Sequence, residues 1–309
     1  MVKHKTRRLA ISLMIFSGIF AGINSPVINY ALQTIPTELF GFLRVGISLL
    51  LVAPIVLLRK RKKLQFKYIA VAMLFGLLIY LAANGLFYLG VKRSGAVNAA
   101  IIGLLEPLLL FVFSVEIMKE KFNPRILSGI IIAFAGSMLV IFGPVLIQQN
   151  LSFQNDLMGN LLLLGCVMCG VGGAWLAKTD LRHVDRVQLL FWSLIPATLV
   201  YGILSIDQWN QIPSIFKSSA NLYAVLYGAV FNGVLVYLFM FYALKRVKVE
   251  EYSIFGYISP AVAALVAVLF FGERFTPLLL LGVLIISTGL YLAEVHNHKR
   301  TRYHFFRSR

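Results

Sequence analysis

The chain has 309 residues, 59% of them hydrophobic, with a mean hydropathy of +0.84 and only 13% charged. Soluble domains hold roughly 45–50% apolar residues, so this composition excludes an ordinary soluble fold. Its apolar runs lack the period-two alternation of a membrane β-barrel, and its +17 formal charge sits at the edges of those runs, which argues against a nucleic-acid-binding face.

In chain order the first run, residues 9–32, is too long for a signal-peptide core and lacks a small-residue cleavage site, so it reads as a span. Further runs follow at 37–58, 67–90, 95–118, 125–147, 157–178, 187–206, 220–244, 250–271 and 276–294. Each is near the roughly 20 residues that cross a hydrocarbon core. The sequence therefore predicts an all-α polytopic membrane protein with ten transmembrane helices. With the N-terminus inside, 24 of the 29 Lys and Arg residues fall on the cytoplasmic side and four outside, with Arg44 left within a span. That bias predicts both termini in the cytoplasm and the cell membrane as location. Glycines spaced along spans one, five and ten (Gly18 and Gly22, Gly129 and Gly136, Gly282 and Gly289) read as close helix contacts.

An offset of 153 positions brings two long stretches into register. Lys92-Arg93 falls on Lys245-Arg246, Gly103 on Gly256 and Pro107 on Pro260. Glu120-Lys121-Phe122 falls on Glu273-Arg274-Phe275, and Gly129 and Gly136 fall on Gly282 and Gly289. Each copy holds five predicted spans, an odd number, so the second must enter the bilayer from the opposite face. The expected organisation is one five-helix repeat at 9–147, an inverted one at 157–294 and a basic cytoplasmic tail at 295–309. Inverted repeats with a site at their midplane interface are a construction of secondary transporters.

The chain resembles the drug/metabolite transporter superfamily, in its ten-span group built from two EamA domains. The resemblance rests on Arg44 in FLRVGISLLL, GLLEPLLL around Pro107, EKFNPRILSGIIIAFAG from Glu120, GYISPAVAALVAVLFFGE from Gly256, and GVLIISTG from Gly282. It implies a bacterial-type metabolite exporter or, less often, an importer, and does not fix the substrate.

Glu106 is the one acidic residue near the middle of a span. A charge there costs about 2.5–3.5 kcal/mol on insertion scales, so it should face a cavity or a partner. It reads either as a reversibly protonated coupling and substrate-binding group or as a structural carboxyl near the ladder break at Pro107. Arg44 is the one deep cation; it could hold a substrate carboxylate or phosphate, or serve as counter-ion to Glu106, and the family match favours a structural or gating role. The other candidate substrate contacts are Asn24, Tyr80, Asn84, Tyr88, Trp175, Asn232, Tyr237 and Tyr257, with Asn29 on the first span; interhelical hydrogen bonding is the competing use. Pro26, Pro107, Pro196 and Pro260 could mark kinks. Glu120 and Glu273, each four residues before a Pro, read as caps.

No cofactor or metal is expected. There is no P-loop, all five His lie outside the apolar runs, and Cys166 and Cys169 lack further ligands for zinc and read as packing residues. The expected partners are a small-molecule substrate, protons and the lipid bilayer, with no nucleic acid. The function read here is secondary transport, mainly export, of small metabolites such as amino acids or nucleobase-like compounds by alternating access. Multidrug efflux and facilitated diffusion are the alternatives. An enzyme is not expected, because no deep nucleophile–base pair is present, and a non-transporting scaffold has no use for an inverted repeat.

Overall fold

The computed structural model describes residues 2–58, 64–148, 156–181, 184–271 and 277–306, with side chains for all of these except 2–5, 25, 29, 96–97, 143–148, 267, 271 and 294–306. Asn29, Glu273 and the side chains of the basic tail thus lie outside the described residues. Among the described residues the chain is helical and contains no strand. Among the described residues nine helices are long and apolar enough to cross a membrane: α1 (Thr6–Thr34), α2 (Thr37–Leu58), α3 (Phe66–Gly95), α4 (Asn98–Glu116), α5 (Pro124–Phe142), α6 (Leu157–Lys178), α7 (Arg186–Leu204), α8 (Ser219–Leu244) and α9 (Val249–Phe270). A shorter apolar helix, α10 (Pro277–Ala293), follows.

The helix ends have local causes. Asp156 caps α6 by accepting from Gly159 N at 3.1 Å, and Asp185 caps α7 by accepting from Val187 N and Gln188 N. The Arg93 guanidinium, donating to Asp156 at 2.9 Å, holds that carboxyl below the usual carboxylate range and ties α3 to α6. Gly95, with φ 80° and ψ 168°, turns the chain from α3 into α4, a conformation that only glycine adopts cheaply. Asn123 caps α5 through Arg125 N. Glu120, expected to cap locally, instead reaches another helix: its two carboxylate oxygens accept from Val249 N and Glu250 N, each at 3.2 Å, at the start of α9. Pro26 and Pro196 sit inside continuous helices, whereas Pro107 follows a break at Leu104 and Pro260 follows a 3₁₀ turn at Ile254–Tyr257.

Two mid-span segments are π-helical, Leu77–Ala83 in α3 and Gly228–Leu235 in α8. A π turn shifts backbone pairing from the fourth to the fifth residue on, and here side-chain donors from other helices reach carbonyls of both segments. Asn84 Nδ2 donates to the Ile79 and Tyr80 carbonyls, Tyr201 OH to Leu81 and Ser48 Oγ to Ala229. Tyr80 OH donates to Gly233 O at 2.9 Å, joining the two π segments directly.

Close backbone approach accounts for the spaced glycines. A Cβ on Gly129 would stand 2.7 Å from Gly289 O, and one on Gly136 would stand 2.8 Å from Gly282 O, so α5 and α10 pack almost backbone to backbone. One apolar cluster draws mainly on α2, α3, α6, α7 and α8, with Leu110 of α4 and Val249 of α9, and a second mainly on α1, α4, α5, α9 and α10, with Ala243 of α8.

Candidate functional site

A cavity of 360 Å³ lies between α1, α3, α4, α8 and α9. Its volume falls in the range of small-molecule sites, about 300–1,000 Å³. The wall is largely apolar and small: Ala21, Ala99, Ala100, Gly103, Gly256 and Ala263 leave the space, and Met14 and Leu110 border it. Polar groups come from Ser17 on α1, Glu106 on α4 and Tyr252, Ser253, Tyr257 and Ser259 on α9.

Glu106 reaches this cavity because α4 is interrupted beside it. Pro107 has no N–H to give the Gly103 carbonyl, and the helix breaks at Leu104. Tyr257 OH donates to the Leu104 carbonyl at 3.2 Å and holds the broken turn against α9. The carboxylate lies against α6, where a Cβ on Gly170 would come within 2.6 Å of Glu106 Oε1. Cys166 of α6, Tyr237 of α8 and Tyr252 of α9 are the titratable groups in electrostatic range. Among the described residues Glu106 has neither a hydrogen-bond nor an ion-pair partner, as the hydrogen bonds and salt bridges of the neighbouring spans go elsewhere.

Arg44 sits apart from the cavity lining. Its guanidinium is buried, donating to Tyr88 OH and Asn84 Oδ1, each at 3.0 Å, while Nε has no partner. The ion pair with Glu106 that sequence allowed is therefore absent among the described residues. Arg44 instead anchors Asn84, whose amide serves the carbonyls of the first π segment. Tyr237 packs on Tyr80 with ring centroids 4.6 Å apart, and is in electrostatic range of both Arg44 and Glu106.

Of the ten candidates, Glu106 and Tyr257 line the cavity. Arg44, Asn84 and Tyr88 form a polar hub outside the lining, and the Tyr80 hydroxyl donates to Gly233 O. Asn24 is buried on α1 with Oδ1 unpartnered, and Asn232 lies in the second π segment. Trp175 is 38% exposed on α6 and packs edge-on to Phe113. The sequence reading missed Ser17, Phe87, Tyr252, Ser253 and Ser259. One signal was present, since Ser259 is the residue that the 153-position offset places opposite Glu106.

Residues 8–142 and 157–294 each match the EamA-like transporter family. The chain belongs to that family. A Bacillus subtilis (strain 168) protein named uncharacterized transporter YrdR is 26% identical, covering 90% of this chain and 88% of its own length. Another from that strain, uncharacterized transporter YvbV, is 27% identical over 91% and 90%. A WAT1-related protein of Arabidopsis thaliana is 23% identical over 92% and 85%. A solved crystal structure at 15% identity superposes with a TM-score of 0.72, covering 94% of this chain and 98% of that one, which shows likeness of fold. This EamA-like chain is a polytopic α-helical membrane transporter.

Proposed function

We propose that this EamA-like chain is a secondary carrier that moves a small metabolite across the cell membrane, in the export direction, by alternating access. Its two five-helix halves, 9–147 and 157–294, are related by a dyad in the membrane plane, with α10 as the tenth span and both termini cytoplasmic. The observation that carries this reading is the pattern of contacts between residues and the copies that an offset of 153 positions assigns them. Across a two-fold axis, if residue i touches the copy of j, then j touches the copy of i, and residues on the axis touch their own copies. Gly129 meets Gly289 while Gly136 meets Gly282. The Arg7–Glu251 ion pair at 3.2 Å has as its counterpart the Asn98–Asn160 hydrogen bond at 3.1 Å. Tyr80–Gly233 and Leu104–Tyr257 each join a residue to its own copy.

One contact breaks the symmetry. A Cβ on Gly256 would stand 3.0 Å from Pro107, whereas a Cβ on its counterpart Gly103 would meet nothing within 4 Å among the described residues. With the termini inside, the closed contact lies toward the cytoplasm and the open one toward the outside. Glu120, capping the start of α9, reinforces the closed end. The conformation supported is outward-open, and its exchange with the dyad-related inward-open form is the transport step. Glu106, the acid in the cavity wall, alternates between substrate and proton.

Counterflow in proteoliposomes against a panel of amines, amino acids and nucleobases tests the reading. The expected result is saturable exchange of at least one solute, reduced at least tenfold by Glu106→Gln. If no solute exchanges faster than in empty liposomes, or if Glu106→Gln leaves the exchange unchanged, the reading fails.

A further inference from the structure

We propose that the cavity takes a compact monovalent organic cation, an aromatic or alkyl ammonium, and that the cation trades places with a proton on Glu106. This rests on the carrier reading above and names the substrate class for the same site. The charge inventory of the wall decides it. Glu106 is the one acid lining the cavity, and no Lys, Arg or His lines it among the described residues. Arg44, the nearest deep cation in sequence, is engaged by Tyr88 and Asn84 outside the lining. The titratable groups that face Glu106 from packed elements are Cys166, Tyr237 and Tyr252, whose ordinary pKa values of about 8.5 and 10 keep them neutral near pH 7.

An anion in this space would meet a carboxylate and no counter-charge. The carboxylate of a zwitterion would likewise be desolvated without a partner. A cation meets the opposite conditions. Its charge pairs with Glu106, while Phe87, Tyr252, Phe255 and Tyr257 place aromatic rings around the same cavity. The hydroxyls of Ser17, Ser253 and Ser259 can accept hydrogen bonds from an ammonium N–H. The 360 Å³ space admits a one-ring amine.

The exchange balances. The Glu106 carboxylic acid releases its proton to water as the ammonium pairs with the carboxylate. On the other side of the membrane a proton returns to Glu106 and the cation leaves. One positive charge is carried in each direction, so the cycle is electroneutral.

The test is binding of benzyltrimethylammonium to the purified full-length protein in detergent, with proton release recorded in weakly buffered solution and benzoate as the anionic comparator. The expected result is cation binding that strengthens by about tenfold per pH unit over the range in which Glu106 holds its proton, with one proton released per cation. Benzoate should bind at least tenfold more weakly. Glu106→Gln should abolish proton release and the pH dependence, and Glu106→Asp should retain both. Benzoate binding as tight as the cation, or cation binding without proton release, overturns the inference, as does no binding of either probe. If the cation binds as described but proteoliposomes move no solute, the carrier reading fails and the cation site stands. If neutral or anionic solutes are carried while the cation is not bound, the carrier stands and the cation inference falls.

Discussion

Arg44 shows how a deep charge is accommodated without an opposite one. Its two terminal nitrogens use a tyrosine hydroxyl and an amide oxygen, and Asn84 passes the interaction on to backbone carbonyls. Removing one member leaves buried polar groups unpaired, at about 1–3 kcal/mol each. Arg44→Leu should therefore lower the melting temperature of the purified protein by several degrees, and Tyr88→Phe by less. An unchanged melting curve for Arg44→Leu would show that the hub holds nothing together. Gly170→Ala is the complementary change: its methyl would enter the space of Glu106 Oε1. Displacing the carboxylate should cut substrate exchange at least tenfold while leaving thermal stability within a degree or two, read by counterflow and thermal melting on one preparation. The sequence made Arg44 and Glu106 visible as isolated charges in apolar runs. It could not say which partners they have, because an Asn or Tyr in a span looks the same whether it faces a cavity or a carbonyl.

That ambiguity is resolved by the elements. Hydropathy placed the helices to within a few residues, since about 20 apolar residues in a row have no other stable use in a membrane. The π segments were not legible. Leu77–Ala83 and Gly228–Leu235 have the same apolar texture as the turns around them, and sequence does not show that Ser48, Tyr80, Asn84 and Tyr201 donate to their carbonyls. The role of Glu120 was half legible. Its position after α4 signalled a cap, but the helix it caps, α9, is distant in sequence. Losing a helix cap costs about 0.5–2 kcal/mol. Glu120→Ala should loosen the end of the cavity at the start of α9, so a cysteine at Leu110 on the cavity border should label faster from that side, which is the cytoplasmic one in the proposed orientation. Labelling at the unmodified rate would show that the cap does not hold the closed end.

For the whole molecule, the offset of 153 residues predicts two related halves, and the dyad proposed above draws its support from the contacts of Gly129, Gly136, Tyr80 and Tyr257. Under that proposal the departure from symmetry is what sequence could not contain, because both members of a pseudo-symmetric pair would be encoded alike and one conformation would realise only one of them. Orientation is a separate expectation: a reporter fused after Arg309 should be active in the cytoplasm alone, and activity only outside would invert the direction assigned to the cavity.

The decisive contact pair is Gly256–Pro107 and its counterpart Gly103–Pro260. In the closed member a Cβ on residue 256 stands 3.8 Å from Pro107 Cβ, close to the mean spacing of a disulfide, about 3.8 Å. In a Cys166→Ala/Cys169→Ala background, a cysteine pair at 107 and 256 should therefore cross-link in the form described here. The measurement that tests alternating access most directly is oxidation of the other pair, Gly103→Cys/Pro260→Cys, in proteoliposomes. This pair should also cross-link, exchange should stop when it does, and reductant should restore it. Failure to cross-link in a variant that transports, or full exchange by the cross-linked protein, would contradict alternating access.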